Sequence, residues 1–242
     1  MGQLDKKVAV VVGASRGFGL GIAQAFAGAG ARVVAVARDP SSVNARLHPI
    51  AADATDPVVA GKVLGEWRPD VLALVAGAAP LLRPVHLHTW ETFSANWMVD
   101  VRMTFHWIRE SLLLPLRAGS RIIVMSSGAA VNGSPLSGGY AGAKSTQRFL
   151  ADYAAQESQR MKLGIGVVAV LPRLTPATEL GRPAVTAYAA RQGIAEDEYM
   201  REMGTPVTPE IAGAAFLRLA TGAEGESGAY MLTADGLREV NR

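Results

Sequence analysis

The 242-residue sequence contains no cysteine. That excludes disulfides, thiolate nucleophiles and cysteine-ligated metal centres together, and it fits a reducing, cytoplasmic setting. Long apolar runs are also missing. The longest, such as Val8–Val12, fall far short of the roughly 20 residues that a membrane-spanning helix needs. Residues 1–7, MGQLDKK, offer no apolar stretch ahead of a small-residue cleavage site, so no leader is expected. An excess of one charge is lacking too: 24 Lys and Arg stand against 21 Asp and Glu, a formal net charge of +3. The pI of 9.4 therefore reflects a small surplus on a balanced surface, and neither nucleic acid nor membrane is an expected partner. His86 and His88 have no third ligand in sight, so no metal site is expected.

What is present is a large reserve of apolar residues, 49% of the chain against 19% charged, enough for a sizeable core. Short apolar runs at Val8–Val12, Arg32–Ala37, 71–75, Arg121–Met125, 166–171 and 229–233 predict strands. Helical patterns fall between them at 21–29, 58–67, 90–114 and 140–163. Nearly continuous apolar strands indicate a sheet covered on both faces, and helix-length separations indicate right-handed βαβ crossovers. The expected fold class is thus α/β, a doubly wound parallel sheet of Rossmann type, forming a single domain over residues 1–242. Loops are expected at 78–89 and at 173–209; the second follows a strand end, where ligands bind in such sheets, and could close as a lid.

The first strand runs into Gly13-Ala14-Ser15-Arg16-Gly17-Phe18-Gly19, and a helix follows. Glycines at a strand-to-helix turn let backbone approach a pyrophosphate, with the helix N-terminus supplying N–H groups. The second strand ends at Ala37-Arg38, and Arg16 sits in the glycine loop. Two guanidinium groups suit a ribose 2′-phosphate, so NADP(H) is favoured over NAD(H). Asp39 offers a carboxylate if the register shifts by two; otherwise it begins the Asp39-Pro40-Ser41 turn.

Tyr140-Ala-Gly-Ala-Lys144 places a phenol and an ammonium on one helix face, one turn apart. An ammonium and an oxidised nicotinamide both favour phenolate, which suits a group exchanging a proton with a carbinol oxygen. Ser127, thirteen residues before Tyr140, follows the strand Arg121–Met125 and could hydrogen-bond the same oxygen. With the glycine loop Gly13–Gly19, Asp53-Ala54-Thr55 after the third strand, and Ala76-Gly77 after the fourth, these residues resemble the short-chain dehydrogenase/reductase family over essentially the full length. The resemblance implies Tyr140 as general acid/base, Ser127 orienting the carbonyl, and Lys144 binding the nicotinamide ribose and favouring tyrosinate. It further implies Asp53 at the adenine with Ala54 beside it, and a cofactor set completed by Gly77, Pro172 and Thr175. Homo-oligomers, dimers or tetramers built on the two long helices, are implied as well.

Four positions depart from that family pattern. Val12 precedes the first loop glycine in place of threonine, and Leu74-Val75-Ala76-Gly77 replaces Asn-Asn-Ala-Gly; exchanged together, apolar groups on both sides can be nearly neutral. Asp100 stands where the family has a catalytic asparagine whose main-chain carbonyl holds a relay water. A main-chain role survives that exchange, and the carboxylate would favour charged Lys144 if it points that way. Arg173 replaces a glycine after Pro172; it either faces solvent or holds an anionic group. The expected function is an NADPH-dependent reductase (or reverse alcohol dehydrogenase) acting on a small carbonyl or alcohol substrate. A non-redox lyase or isomerase and a nucleotide-sensing pseudoenzyme are the alternatives.

Overall fold

The computed structural model describes residues 2–44, 46–223, 225 and 227–240. Eight strands form one sheet: β1 (Val8–Val12), β2 (Arg32–Ala37), β3 (His48–Ala51), β4 (Val71–Leu74), β5 (Arg121–Met125), β6 (Gly166–Pro172), β7 (Ser227–Thr233) and β8 (Gly236–Glu239). Their order is β3-β2-β1-β4-β5-β6-β7-β8. All neighbours through β7 are parallel, whereas β8 returns antiparallel to β7, closing at Thr233↔Gly236. The architecture is the doubly wound, Rossmann-type α/β fold expected, with that antiparallel edge as an addition. Periodicity does not reveal β3, because this edge strand is mostly exposed and carries no continuous apolar run.

β1 explains why the sheet needs covering on both sides. Ala9 and Val11 enter one core with Ile22, Phe26, Phe216 and Leu219, while Val10 and Val12 enter the other with Met103, Trp107, Ala151 and Ala154. Successive side chains of a strand point to opposite faces, so a five-residue apolar run feeds two cores at once. The first core is closed by α1 (Gly17–Gly28) and α9 (Pro209–Ala220). On the other face lie α2 (Pro57–Trp67), α4 (Arg102–Leu113) and α6 (Gly138–Arg160). Local signals fix two starts: Asp56 accepts from Val58 N at 2.8 Å and Thr208 from Ile211 N at 3.3 Å, each followed by proline at the first helical position.

The remaining helices are α3 (Trp90–Asn96), α5 (Ala129–Asn132), α7 (Arg182–Gln192) and α8 (Glu196–Met203). The single helix expected over 90–114 is divided: α3 passes through a wide π-type turn, Trp97–Val101, into α4. Segment 173–209 holds α7 and α8 where a loop was expected. α1 starts at Gly17, earlier than the apolar pattern indicates, because its first turn is made of the glycine loop itself. Among the described residues no helix is long and apolar enough to cross a membrane.

The parallel arrangement brings the C-terminal ends of β1, β4, β5 and β6 to one edge, and the winding reverses between β1 and β4. A crevice at such a reversal is where ligands bind in open α/β sheets. On the covering side α1 and α9 approach until their backbones touch: a Cβ on Gly21 would lie 2.4 Å from Pro209 O, and one on Gly213 2.8 Å from Gly21 O. Gly213→Val is expected to wedge the pair apart and cost about 1–3 kcal/mol, as overpacking does. Urea unfolding followed by circular dichroism measures the loss.

Candidate active site

Val12 ends β1 opposite Val36 and Leu74. Beyond it Gly13 N donates to Val36 O at 2.8 Å and Ala76 N donates to Val12 O at 2.8 Å, pinning the glycine loop between the neighbouring strand ends. Gly13, at φ 93, leaves no room for a side chain, since a Cβ would meet Ala76 N at 2.5 Å. A Cβ on Gly19 would lie 1.9 Å from Gly13 O, so loop and helix fold directly onto each other. Gly17, at φ 52, opens α1, and Arg16 at the N-cap contributes no side-chain cap. The first-turn N–H groups of α1 thus have no side chain competing for them, which fits a pyrophosphate.

Phe18 packs against the first core, and Ser15 O accepts a hydrogen bond from Ser42 Oγ. The Arg16 guanidinium lies 2.6 Å from Glu179 Oε2 of segment 173–209, both side chains largely in solvent. Arg38 is exposed just beyond β2. Asp39 accepts from Ser41 N at 2.9 Å, and that bond holds its carboxyl below the usual range; it is bound into its own turn. Asp53 accepts from both Thr55 N and Thr55 Oγ1 at 2.9 Å. Those bonds, with Arg38 and Arg102 as weaker contributors, lower its pKa. Trp107 Nε1 donates to Ala54 O at 2.9 Å, tying that residue to α4.

The centre of the site is buried. Lys144, on α6, sends its ammonium beneath Tyr140, 5.4 Å from the phenol ring centroid. Three oxygens surround Nζ: Gln147 Oε1 at 2.7 Å, Asp100 Oδ2 at 3.2 Å and Met125 O at 3.4 Å. Burial alone would lower the lysine pKa, but the carboxylate of Asp100 and then Tyr140 outweigh it, and the net direction is upward. Asp100 occupies the wide turn, where helical geometry loosens and such turns gather at functional sites. Its Oδ1 accepts from Ala78 N at 2.7 Å, while Asn96 Nδ2 donates to Ala78 O at 2.8 Å. The backbone after β4 is therefore clamped to the turn. Gly77 permits this approach, since a Cβ there would meet Asp100 Oδ2 at 3.1 Å.

Ser127 follows β5 and is half-buried; its Oγ accepts from Ala129 N at 3.2 Å, which leaves its own hydrogen available. Ser126 Oγ donates to Lys144 O at 2.8 Å, binding the end of β5 to α6. Pro172 is buried at the end of β6, and its carbonyl accepts from Gly128 N at 2.9 Å. Arg173 is exposed. Thr175 is buried, with its hydroxyl donating to Val207 O at 2.8 Å, so it anchors segment 173–209 locally. In that segment Tyr188 OH hydrogen-bonds Ser134 Oγ, ahead of Tyr140, and stacks on Tyr199 at 6.4 Å between centroids.

Sequence reasoning missed Asn96, Thr104, Ser126 and above all Gln147. The available signal was spacing: Gln147 lies three residues after Lys144, a polar side chain on the helix face that the core covers.

Comparison with known proteins identifies the family and the fold. The sequence profile of the family described as short chain dehydrogenase matches residues 7–189. The chain is similar to a short chain dehydrogenase/reductase of Aspergillus aculeatus, 32% identical over 62% of this chain and 58% of that protein. It is similar to a 12alpha-hydroxysteroid dehydrogenase of a Clostridium species, 29% identical over 71% of this chain and 74% of that protein. Among solved structures, a short chain dehydrogenase from Mycobacterium avium superposes with a TM-score of 0.77 at 22% identity, covering 100% of this chain and 87% of that one. The last likeness is one of fold.

The buried ammonium generates a prediction. Asp100→Ala removes its counter-charge and the acceptor for Ala78 N, and is expected to cost about 3–5 kcal/mol in stability. The raised lysine pKa gives the pH dependence: its contribution is intact below the usual 10.5 and is lost as pH rises through the higher folded value. Urea unfolding should therefore show the wild type losing nothing from this group between pH 7 and pH 9, with the variant well below it at pH 7.

Proposed function

Because the chain belongs to the short-chain dehydrogenase family, we propose that it is an NADP(H)-dependent oxidoreductase that reduces a carbonyl substrate, or oxidises the alcohol in reverse. The observation that carries this reading is the half-buried Tyr140 above a fully buried, charge-paired Lys144 at the ligand-binding edge of the sheet. Tyr140 passes the proton to or from the substrate oxygen as general acid/base. Ser127 donates its free hydrogen to that same oxygen and sets the orientation of the carbonyl. Lys144, held cationic, favours the phenolate that remains on Tyr140 once the proton has left. The cofactor, when bound, would supply or take up the hydride.

The residues that would hold it are the loop Gly13, Ser15, Arg16, Gly17, Phe18 and Gly19, then Arg38, Asp53, Ala54, Gly77, Tyr140, Lys144, Pro172 and Thr175. Support for the phosphate-bearing form comes from charge: Arg38 directly follows β2, Arg16 sits in the glycine loop, and Asp39 is engaged by Ser41. Glu179 must release Arg16 for that contact. NADPH usually serves reduction, which gives the direction.

The same reading takes residues 1–242 as one cytoplasmic domain with 173–209 as a lid, latched by Tyr188 onto Ser134. Leu81, Leu82 and Leu174 near the mouth favour a substrate with an apolar body, and the Clostridium relative is named for a hydroxysteroid. Phe105 on α4 and Phe149 and Tyr153 on α6 are exposed, and such a face supports a homo-oligomer built on those helices.

Fluorescence titration is expected to give tighter binding of NADPH than of NADH. Arg38→Ala should weaken NADPH by about 10-fold or more, the worth of a hydrogen bond to a charged group, and leave NADH unchanged. Preference for NADH in the wild type would overturn the cofactor assignment. Tyr140→Phe should lower carbonyl reduction at least ~100-fold, measured by NADPH absorbance, while NADPH binding weakens by no more than about 10-fold, the worth of one hydrogen bond.

A further inference from the structure

Gln147 is buried on α6 and uses every polar hydrogen it has. Its Oε1 accepts from Lys144 Nζ at 2.7 Å, and its Nε2 donates to Asp100 O at 3.2 Å and to Thr104 Oγ1 at 2.6 Å. Only one orientation of the amide satisfies this set. The side facing an ammonium must accept, and the side facing a main-chain carbonyl must donate. An apolar residue of the same size would satisfy neither, and a glutamate would set a carboxylate against a carbonyl oxygen. The position selects an amide for reasons that packing alone does not supply.

We propose that Gln147 is a positioning residue for the proton-transfer pair: it ties the Lys144 ammonium to the carbonyl of Asp100 and to Thr104, and so sets where Lys144 stands beneath Tyr140. This rests on the oxidoreductase reading above. An ammonium has three hydrogens, and here three oxygens meet it. For Lys144 to donate to a nucleotide ribose, one of them must be given up. Met125 O, at 3.4 Å, is the most distant and lies on β5, whereas Gln147 and Asp100 hold the lysine from the helical side. Gln147 therefore keeps Lys144 in place while the third hydrogen changes partner. Among the described residues the titratable groups facing Lys144 are Asp100 from the wide turn and Tyr140 from α6 itself; β5 offers a carbonyl, and α4 the Thr104 hydroxyl through Gln147.

The test uses the full chain labelled with 15N-lysine, and two variants. Gln147→Met keeps the volume and removes both polar links; Gln147→Glu keeps the acceptor and loses the donors. In the wild type the Lys144 Nζ resonance, assigned by its loss in Lys144→Arg, is expected to show slow hydrogen exchange. Gln147→Met should speed that exchange at least ~10-fold. It should also move the alkaline limb of the kcat profile down by about one pH unit, because the ammonium has lost an acceptor. kcat should fall about 10-fold at pH 7 with KM for the carbonyl within about threefold. Gln147→Glu should retain slow exchange and move the alkaline limb upward. A Gln147→Met protein whose melting temperature falls while Nζ exchange and pH profile match the wild type would overturn the proposal, because Gln147 would then be a packing residue alone. If the wild type turns over no carbonyl with NADPH, the oxidoreductase reading fails on its own, and the Nζ exchange still decides whether Gln147 holds Lys144.

Discussion

A buried ammonium is costly to keep, and the arrangement of this molecule around Lys144 follows from that cost. The charge survives burial only because oxygens from three elements converge on it: a carboxylate from the wide turn, an amide from its own helix and a carbonyl from β5. Each partner is held in turn. Asp100 is fixed by Ala78 N, Gln147 by Thr104, and the end of β5 by Ser126 against Lys144 O. The chain segments after β4 and β5, the start of α4 and the first turns of α6 are thus joined by one electrostatic requirement. The proton-exchanging phenol stands at its centre.

Much of the scaffold was legible in the sequence because it depends on local pattern. β1, β2 and β5 have the boundaries that their apolar runs predict, and the glycine loop declares itself by spacing. Where tertiary context decides, pattern fails. Apolar residues flank Asp100 on both sides within 97–101, so nothing local marks the wide turn; only there do the contacts of Asp100 with Lys144 and Ala78 come together. Helices α7 and α8 escaped notice because Pro, Thr and Gly dominate their surroundings and little of either helix is buried. Of the site, Asp100 was recognised as unusual, and its carboxylate does face the lysine. Gln147 carried no motif; only its spacing from Lys144 pointed to it, and its contacts set it apart.

The two halves of the site are built by different physics. The glycine loop works by close backbone approach: a Cβ on Gly13 would lie 2.5 Å from Ala76 N and one on Gly19 1.9 Å from Gly13 O. The proton-transfer half works by charge pairing, with the Lys144 ammonium and the Gln147 amide fully engaged. The first is governed by shape and tolerates no side chain at Gly13 or Gly19. The second is governed by charge and hydrogen-bond balance, so a substitution matters according to which donor or acceptor it leaves unmatched.

The alternation along β1 sets where this protein can change length. Its five residues feed opposite cores in turn, so deleting or inserting one residue there would exchange the contents of both faces at once. No repacking of side chains absorbs such a frame shift. Arg173 N donates to Leu232 O of β7, but among the described residues, 78–89 and 174–208 pair with no strand of the sheet, and length changes there leave the strand register intact. Evolution of this chain is therefore free to lengthen or trim the walls of the cleft while the strand register that holds Gly13 and Ser127 beside Tyr140 and Lys144 stays fixed.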